Sequence, residues 1–393
     1  MKVKILIVAG SLRVGGIERS LVNLLNCIDF SRYQVDLFLY SNSGEYLNNV
    51  PEEVKLVNDS WLLDCIGRTH NEILKTKNFF KICFRSVAAI LCKIIGSKMF
   101  YSILFAYIKK IKGYDVAISY SHNGNPKTLY WGYNQFVLKK VSVKKKIAWI
   151  HSDYIRAGLN ISQNNNEYRQ FDAIVNVSYA GKSTFDQVLP ELQGKSYVVY
   201  NMYPINHIRE LAVDSSPYDD FNSGYRIVSV GRIDTNKAFD RVIRIASRLR
   251  EDGFKFRWFI VGDGPDRKYL EELCNEIGLQ SYVYFVGNKQ NPYPYIKNAD
   301  LFVLTSKYEG MPMVVSEALI LGIPVITTRY ASAEEQIKQG VNGYITDNCE
   351  EDLYQNLILV LDGDKLTNLK NNLISINYSN DLALSQFQSV IEK

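Results

Sequence analysis

Residues 226–251 read RIVSVGRIDTNKAFDRVIRIASRLRE, and their apolar pattern decides the fold. The stretch opens at 226–230 with a short run of mainly β-branched residues, which is typical of a strand covered on both faces. A helix is predicted at 238–251, and one face of it carries five apolar residues: Phe239, Val242, Ile243, Ala246 and Leu249. A buried strand followed by an amphipathic helix is the repeating unit of a parallel sheet with helices on both faces.

The same alternation runs along almost the whole chain, in two series. Besides 226–230, the second series contains strand-like runs at 257–261, 283–286, 301–304 and 325–327. The first series contains runs at 3–9, 34–40, 54–57, 115–119, 146–150, 173–177 and 197–200. Since strands and helices alternate in both series, we predict an α/β protein with two doubly wound parallel sheets of the Rossmann-like kind.

Chain length and local composition place the boundary between the two series near residue 203. A chain of 393 residues fits two domains of about 150–200 residues each. The pattern breaks after Asn201, and the stretch 214–224 is rich in Asp, Ser, Gly and Pro and lacks periodicity, as expected of a linker or surface loop. We therefore predict domains at 1–203 and 204–378. A last helix, within 379–393, either closes the second domain or packs back on the first.

The bulk composition favours a globular protein of a reducing compartment. Hydrophobic residues make up 47% of the chain and charged residues 22%, which excludes a disordered or fibrous protein. The six cysteines are scattered without the CxxC spacing of zinc or redox sites. The apolar run after Lys4 is too short for a signal peptide, and no run of about 18 apolar residues lacks charge. We expect a cytoplasmic protein without a membrane-spanning helix.

Positive charge is concentrated between Lys75 and Lys112, where nine Lys or Arg residues and no acidic residue occur. Aromatic and aliphatic residues recur between them at helical spacing. Two interpretations remain open. The segment lies on an anionic membrane, at the inner face of the plasma membrane, or it is a surface helix pair whose apolar stripe faces the core. No recognisable nucleic-acid-binding module accompanies the charges, so we expect no nucleic-acid partner.

Ligands of doubly wound sheets bind at the carboxyl ends of the strands, so residues that directly follow a strand are candidates for a site. After the first strand, Gly15 and Gly16 open a helix whose backbone N–H groups can approach an anion; alternatively, they form an ordinary turn with positive φ. His151 directly follows the run at 146–150, and His122 comes shortly after another predicted strand. Either imidazole could donate a hydrogen bond or relay a proton, although a lone histidine is more often structural.

Two cations follow the strand at 226–230. Arg232 and Lys237 lie five residues apart and could grip a diphosphate from two directions, the guanidinium as a planar fork and the ammonium as a point charge. The helix dipole disfavours cations at the start of a helix, so an anionic ligand explains them better than solvated charges do. The loop VGDGP at 261–265 follows the next strand, and we interpret its glycines as mainly structural.

The strongest signal is EGMPMVVSE, residues 309–317, which follows the run at 301–304. Pro312 suits the first turn of a helix, which places Glu309 in the loop before the helix and Glu317 in its second turn. The two acids would then hold different parts of a long ligand. The alternative is an acid that satisfies the helix dipole and an exposed helical glutamate.

The surroundings of Glu317 favour the ligand-binding interpretation. The helix is apolar nearly all round, so we expect this carboxylate to be buried and to need a partner. The N–H groups of Met313 and Val314, in the first turn, would add an anion site between the two acids.

Together these motifs resemble those of glycosyltransferase family 4, retaining enzymes with the GT-B fold, in which two Rossmann-like domains face a central cleft. The matching motifs occur in order over nearly the whole chain: GGIE at 15–18, IHSD at 150–153, GRIDTNK at 231–237, VGDGP at 261–265 and E-x7-E at 309–317. Each string is common by itself, but their order and their positions after strands argue against chance agreement.

The resemblance implies a role for each motif. The catalytic residues would be His151 near the transferred sugar, Glu309 on the sugar hydroxyls, and Arg232 and Lys237 on the diphosphate. Further donor contacts would come from these residues: Gly15, Gly16, Gly310, Met311, Met313, Val314 and Glu317, the last of them on the ribose. The first domain would take the acceptor and the second the nucleotide sugar.

The resemblance also implies the reaction. It would be front-face substitution at the anomeric carbon with retention, from a nucleoside diphosphate sugar, with uridine as the family's usual base. We expect no cofactor and no metal, since no DxD-type motif stands where such enzymes need one. The acceptor would be a glycan, lipid-linked in the synthesis of capsule, O-antigen or another cell-envelope polysaccharide. Ala238 departs from the glycine that the family commonly has there, and its methyl group could shift the loop slightly.

Two other kinds of function remain open. Another enzyme on the same architecture, such as a nucleotide-sugar epimerase or a phosphorylase, would share the fold. An inactive homologue would act as a partner subunit. The combination of E-x7-E with Arg232 and Lys237 favours transfer, and the presence of every expected site residue argues against an inactive homologue.

Overall fold

The computed structural model describes residues 2–58, 60–124, 126–129, 132–213, 216–218 and 223–392. Contacts within the chain divide it into two compact units. The first unit comprises Met1–Met202 together with Asn380–Lys393, and the second comprises Tyr203–Ser379. Much of the predicted linker at 214–224 lies outside the described residues.

A parallel sheet forms the centre of the first unit. Its described strands are β1 (Val3–Ala9), β2 (Tyr33–Leu39), β3 (Lys55–Leu56), β4 (Val116–Ser119), β5 (Lys145–Ile150), β6 (Ala173–Asn176) and β7 (Ser196–Val198). They lie in the order β3-β2-β1-β4-β5-β6-β7, and neighbouring strands are parallel. The direction of winding reverses between β1 and β4, which makes this the topological switch point of the sheet.

Helices connect these strands. They are α1 (Gly16–Cys27), α2 (Trp61–Gly67), α3 (His70–Lys75), α4 (Phe79–Ile95), α5 (Ser97–Ala106), α6 (Tyr133–Lys140), α7 (Ser162–Tyr168) and α8 (Tyr179–Val188). Two short 3₁₀ helices, Glu45–Asn49 and Pro190–Lys195, also lie between strands of this unit.

The second unit repeats the plan with a parallel sheet of six described strands. The strands are β8 (Tyr225–Val230), β9 (Phe256–Val261), β10 (Val283–Gly287), β11 (Leu301–Leu304), β12 (Val325–Thr328) and β13 (Gly343–Thr346). Their order is β10-β9-β8-β11-β12-β13, so the switch point lies between β8 and β11. The helices are α9 (Ile205–Leu211), α10 (Asp240–Glu251), α11 (Arg267–Glu276), α12 (Tyr293–Lys297), α13 (Met313–Ile320), α14 (Ala333–Gln336), α15 (Glu350–Leu361) and α16 (Lys365–Ile374).

Apolar packing covers both faces of the second sheet. On β8, Ile227 and Val228 point to opposite faces and belong to two different buried clusters. On β11, Leu301 and Phe302 divide between the same two clusters. All four side chains are fully buried. Double coverage explains why these strands appear in the sequence as continuous apolar runs, and the predicted pair of doubly wound α/β sheets is confirmed.

The predicted strands all correspond to observed ones, with ends that differ by at most two residues. Strand β13 was not predicted, because it opens with Gly343 and lacks the continuous apolar run of the other strands. The predicted start of the helix at 238 is wrong. Helix α10 begins at Asp240, since Ala238 has a φ of 50°, in the left-handed region.

The last helix, α17 (Asp381–Glu392), packs within the first unit. The ring of Phe387 contacts the rings of Tyr33 and Trp149, with centroids 5.7 Å and 6.4 Å away. At the end of the helix, Arg32 donates a hydrogen bond of 2.6 Å to Glu392. The chain therefore returns to its first sheet after completing the second.

None of the described helices combines the length and the apolar character that a membrane crossing needs.

Candidate active site

The switch point of the second sheet brings two predicted site segments together. Lys237 lies in the loop after β8 and Glu309 in the loop after β11, and these strands are neighbours. The ammonium nitrogen of Lys237 lies 2.6 Å from Oε1 of Glu309. Both side chains are mostly buried, with 18% and 14% of their surface exposed. An ion pair thus stands where open α/β sheets bind their ligands.

Hydrogen bonds fix the backbone of the two loops relative to each other. Oδ1 of Asp234 accepts hydrogen bonds from the N–H groups of Asn236 (3.1 Å) and Lys237 (3.2 Å). The side chain of Asn236 donates to the carbonyl of Tyr308 at 3.1 Å, and the hydroxyl of Thr305 donates to the carbonyl of Lys237 at 2.6 Å. These positioning residues were not predicted. Asp234 precedes Asn236 by two residues and Lys237 by three, a spacing typical of a turn in which the aspartate accepts from backbone N–H groups. This signal could have predicted the turn.

The VGDGP loop is structural, as predicted, because it approaches the loop after β8 too closely for side chains. A Cβ atom on Gly262 would lie 1.9 Å from the carbonyl oxygen of Gly231, and one on Gly264 would lie 2.2 Å from that of Ile233. Gly262 also has a φ of 149°.

Arg232 stands apart from the buried ion pair. Its side chain is 73% exposed, and its Nε lies 3.8 Å from Asp234. The structure therefore brings Lys237 and Glu309 together but leaves the guanidinium in solvent. An exposed guanidinium on the same loop can swing toward an arriving anion at little cost in lost contacts.

Helix α13 begins at Met313, and Pro312 precedes it with extended backbone (φ −66°, ψ 120°). The predicted place of Pro312 inside the first turn is therefore wrong by one residue. The N–H groups of Met313 and Val314 are in the first turn, where no carbonyl of the helix can accept from them. The carbonyl of Gly310 is held by the hydroxyl of Ser332 at 2.5 Å, which fixes the loop ahead of the helix.

Glu317 is buried, as predicted, with 1% of its surface exposed. Its Oε1 accepts a hydrogen bond of 3.1 Å from the hydroxyl of Tyr293, on α12. The expectation of a partner is confirmed, but the sequence did not identify it, since Tyr293 lies 24 residues away on another element.

His151 and His122 lie near each other after the neighbouring strands β5 and β4, with ring centroids 6.4 Å apart. Nε2 of His151 lies 2.9 Å from the carbonyl oxygen of Tyr120. A carbonyl can only accept, so this nitrogen carries the proton. Burial lowers the pKa of His151 to about 3 and that of His122 to about 4. Both rings are neutral at pH 7, which leaves Nδ1 of His151 as a hydrogen-bond acceptor.

Gly15 and Gly16 open helix α1, as predicted, but the suggested turn with positive φ is wrong for Gly15. Its φ is −173°, an extended conformation. A Cβ atom on Gly15 would lie 2.2 Å from a carboxylate oxygen of Glu18, whereas one on Gly16 would meet nothing within 4 Å. Burial raises the pKa of Glu18. A side chain at 15 would therefore displace the carboxylate of Glu18 from its place over the helix start.

In the described part of the chain, no group of three or more His, Cys, Asp or Glu side chains is placed to hold a metal ion. Metal-independent activity stays a prediction.

Comparison with known proteins identifies the second unit. Residues 218–378 match the family model described as glycosyl transferases group 1. The chain carries a glycosyltransferase domain. A transferase of Campylobacter jejuni, N-acetylgalactosamine-N,N'-diacetylbacillosaminyl-diphospho-undecaprenol 4-alpha-N-acetylgalactosaminyltransferase, is 26% identical over 91% of this chain and 89% of its own length. An uncharacterized glycosyltransferase of Methanocaldococcus jannaschii is 30% identical over 43% of each chain. The chain thus spans less than half the length of some curated relatives that it matches.

Solved glycosyltransferase structures share the fold of the glycosyltransferase domain and of the first unit. Anabaena HepE in complex with UDP is 16% identical and covers 100% of both chains with a TM-score of 0.68. TarM covers 100% of this chain and 99% of its own, with 13% identity and a TM-score of 0.68. The predicted GT-B class, with two Rossmann-like domains, is confirmed. Assignment to family 4 and retention of configuration stay predictions.

Proposed function

We propose that this chain transfers a sugar from a UDP-sugar to a lipid-linked glycan, with retention of configuration, in the synthesis of a cell-envelope polysaccharide. The observation that carries the proposal is the mostly buried ion pair of Lys237 with Glu309, 2.6 Å apart at the switch point of the second sheet. A cation and an acid at one strand edge match a donor that has an anionic diphosphate beside neutral sugar hydroxyls.

In this proposal the second unit binds the donor along α13. Lys237 and Arg232 bind the diphosphate, assisted by the backbone of Gly310 and Met311 and the first-turn N–H groups of α13. Glu309, oriented by Lys237, accepts hydrogen bonds from the sugar. Glu317 accepts hydrogen bonds from the ribose. Its carboxylate is held in place for this role by the hydrogen bond from Tyr293. The UDP complex of HepE supports a uridine donor by analogy.

The chemistry needs neither a carboxylate nucleophile nor a metal. The bond between the anomeric carbon and the leaving diphosphate breaks, and the acceptor oxygen attacks from the same face. Its proton passes to the departing diphosphate oxygen. Because attack and departure share one face of the sugar, the configuration is retained. Lys237 and Arg232 neutralise the charge that develops on the diphosphate, which is the largest contribution that the protein can make to the rate. His151 and the start of α1, with Gly15 and Gly16, would meet the sugar and the acceptor.

The proposed acceptor class follows from the relatives and from segment 75–112. The C. jejuni relative is named for a diphospho-undecaprenol acceptor, and others are named for lipopolysaccharide core and amylovoran biosynthesis. A lipid-linked acceptor requires an enzyme that works at the membrane surface. We therefore infer a cytoplasmic enzyme bound peripherally to the inner face of the plasma membrane.

Donor binding and transfer can be tested in sequence. A panel of nucleotide sugars is first screened for thermal stabilisation, which rises with the ratio of ligand concentration to Kd. The donor that stabilises the protein is then incubated with and without polyprenyl-diphosphate-linked glycans, and UDP release is measured. Acceptor-dependent release with an elongated glycan supports the proposal. An epimerised sugar formed without acceptor would assign an epimerase. If no nucleotide sugar stabilises the protein and no UDP is released, the chain would be assigned as a non-catalytic subunit.

A further inference from the structure

Helix α4 turns a row of large apolar side chains toward solvent. Phe80, Val87, Leu91 and Ile94 occur at positions i, i+7, i+11 and i+14, a spacing that aligns them on one helical face. All four are exposed, Phe80 by 75% and Ile94 by 73%. Scattered exposed apolar residues are ordinary on a protein surface, but an aligned row over four turns is not.

The opposite side of α4 is the one that packs against the unit. Its buried residues are Arg85, Ala88 and Cys92. The helix is therefore apolar on two sides, one facing the core and one facing water. The interpretation in which the apolar stripe simply faces the core accounts for the first side and leaves the second unexplained.

Helix α5 extends the exposed apolar area. Met99 and Ile103 occupy positions i and i+4 of one face and are 58% and 51% exposed, while Phe100 and Leu104 are buried. Tyr107, just past the helix, is 78% exposed. We call the whole area the α4–α5 surface, and its members are Phe79, Phe80, Val87, Ile90, Leu91, Ile94, Met99, Ile103 and Tyr107.

Exposed cations occur in the same segment as the α4–α5 surface. Of the nine Lys and Arg residues in 75–112, two point inward: Lys81 pairs with Asp64 at 3.1 Å, and Arg85 donates to the carbonyl of Arg68 at 2.8 Å. The others are exposed, namely Lys75, Lys77, Lys93, Lys98, Lys109, Lys110 and Lys112. No acid occurs in this segment. A segment that combines exposed apolar side chains with exposed cations and lacks acids is complementary to a bilayer that carries anionic headgroups.

A cavity opens beside the α4–α5 surface, where α4 passes into α5. Its volume is about 550 Å³, and the residues that line it include Lys98, Lys127, Ser102 and Gln163 together with Met99 of the surface. Within the described part of the chain, Nε2 of Gln163 is buried and donates no hydrogen bond. Two ammonium groups and an amide donor form a suitable environment for a phosphate group.

We propose that the α4–α5 surface lies on an anionic phospholipid membrane, with its apolar side chains among the acyl chains and a lipid phosphate in the cavity between Lys98 and Lys127. The apolar row supplies depth of insertion, and the exposed lysines select anionic lipids. This proposal deepens the peripheral membrane binding of the proposed function and rests on that part of it. Because the contact needs neither donor nor acceptor, vesicle binding can fail while acceptor-dependent UDP release still succeeds, so the two failures are distinguishable.

Vesicle flotation of the full chain tests the apolar part. Wild type is expected to float with vesicles of phosphatidylcholine and phosphatidylglycerol, less so as salt is raised, and to stay at the bottom with phosphatidylcholine alone. The variant Phe80→Ser with Ile94→Ser should lower the partition coefficient tenfold or more. The matched control, Val213→Ser with Ile374→Ser, removes two side chains of the second unit that are 81% and 84% exposed, and it should float like wild type.

Thermal unfolding separates lost binding from lost folding, since both pairs of residues are exposed and neither double variant should unfold early. The proposal would be overturned if wild type does not bind anionic vesicles, or if the Phe80/Ile94 variant floats as well as wild type. So would a wild-type dimer that the same variant dissociates, because the surface would then be an interface between two copies of the chain.

A second pair of variants tests the cavity. Lys98→Glu with Lys127→Glu changes the net charge as much as Lys75→Glu with Lys77→Glu does, but only the first pair lines the cavity. If the cavity holds a lipid phosphate, the first pair should weaken binding to anionic vesicles at least tenfold more than the second. Equal losses would show that the lysines act only as diffuse charge, and the phosphate site would have to be abandoned.

Discussion

The ammonium group of Lys237 lies 2.6 Å from a carboxylate oxygen of Glu309, although 72 positions separate the two residues in the sequence. The contact depends on the strand order, since β8 and β11 are adjacent only because the sheet reverses its winding between them. It also means that each charge is compensated before any ligand arrives, so a diphosphate that binds Lys237 must share this cation with Glu309.

Replacing Lys237 by methionine should lower kcat/KM on the order of 10²–10³, because the charge on the leaving diphosphate loses its buried cation. Stability should also fall, by about 1–3 kcal/mol, since the mostly buried carboxylate of Glu309 loses its cation. Adding Glu309→Gln should restore most of the stability and none of the activity. Urea unfolding and initial rates of UDP release measure the two effects.

The control for this series is Lys268→Met. Lys268 is 89% exposed and lies 3.7 Å from its partner Glu272, so its loss should change neither quantity. If the Lys237→Met enzyme keeps the wild-type kcat/KM, the proposed binding of the diphosphate by Lys237 is contradicted.

Tyr293→Phe should weaken UDP binding about fivefold to tenfold, with little change in kcat. The substitution removes the hydroxyl that orients the buried Glu317, and one such hydrogen bond contributes about 1 kcal/mol. Isothermal titration with UDP measures the effect. Tyr218→Phe is the matched control, because it removes a hydrogen bond of 2.6 Å to the carbonyl of Tyr295 in the same unit. It should cost similar stability and leave UDP affinity intact; equal losses of affinity would contradict a specific role for Tyr293.

The sequence was sufficient to predict the fold and to choose Lys237 and Glu309 as candidate site residues, and both predictions rest on one regularity. Parallel strands buried on both faces appear in the sequence as continuous apolar runs, and their carboxyl ends lie at the same edge of the sheet. Residues that follow adjacent strands therefore converge, whatever their separation in the chain.

What could not be predicted depends on contacts between elements that the sequence does not pair. Tyr293 reaches Glu317 from a separate short helix, and Asn236 reaches the carbonyl of Tyr308 from a neighbouring loop. The neutral state of His151 follows from tertiary burial, which periodicity does not reveal. Segment 75–112 left two interpretations open because helical spacing alone does not determine whether an apolar stripe faces the core or the solvent. The structure shows that α4 has stripes facing both ways.

Acid should destabilise the protein partly through the two half-buried histidines that follow β4 and β5. Burial lowers the pKa of His122 to about 4 and of His151 to about 3, from 6.5. Below pH 6.5 the unfolded chain therefore binds protons that the folded chain does not, and the free energy of unfolding falls as the pH drops toward 4. His122→Gln and His151→Gln should each reduce this dependence by about one proton, as measured by urea unfolding between pH 7 and pH 4.5. His207→Gln, at a side chain that is 55% exposed, should leave the dependence unchanged.

Ala238→Gly should leave the protein as stable or make it more stable, by about 0.5–1 kcal/mol. Ala238 has a φ of 50°, and the left-handed conformation costs a residue with a Cβ atom about 1–2 kcal/mol, which exceeds the added chain entropy of glycine in the unfolded state. Ala246→Gly provides the opposite case, because Ala246 is equally buried but lies inside α10. There the same substitution should cost about 1 kcal/mol. Thermal unfolding of both variants measures the difference in sign, and a loss of stability in Ala238→Gly as large as in Ala246→Gly would show that the loop after β8 gains nothing from glycine.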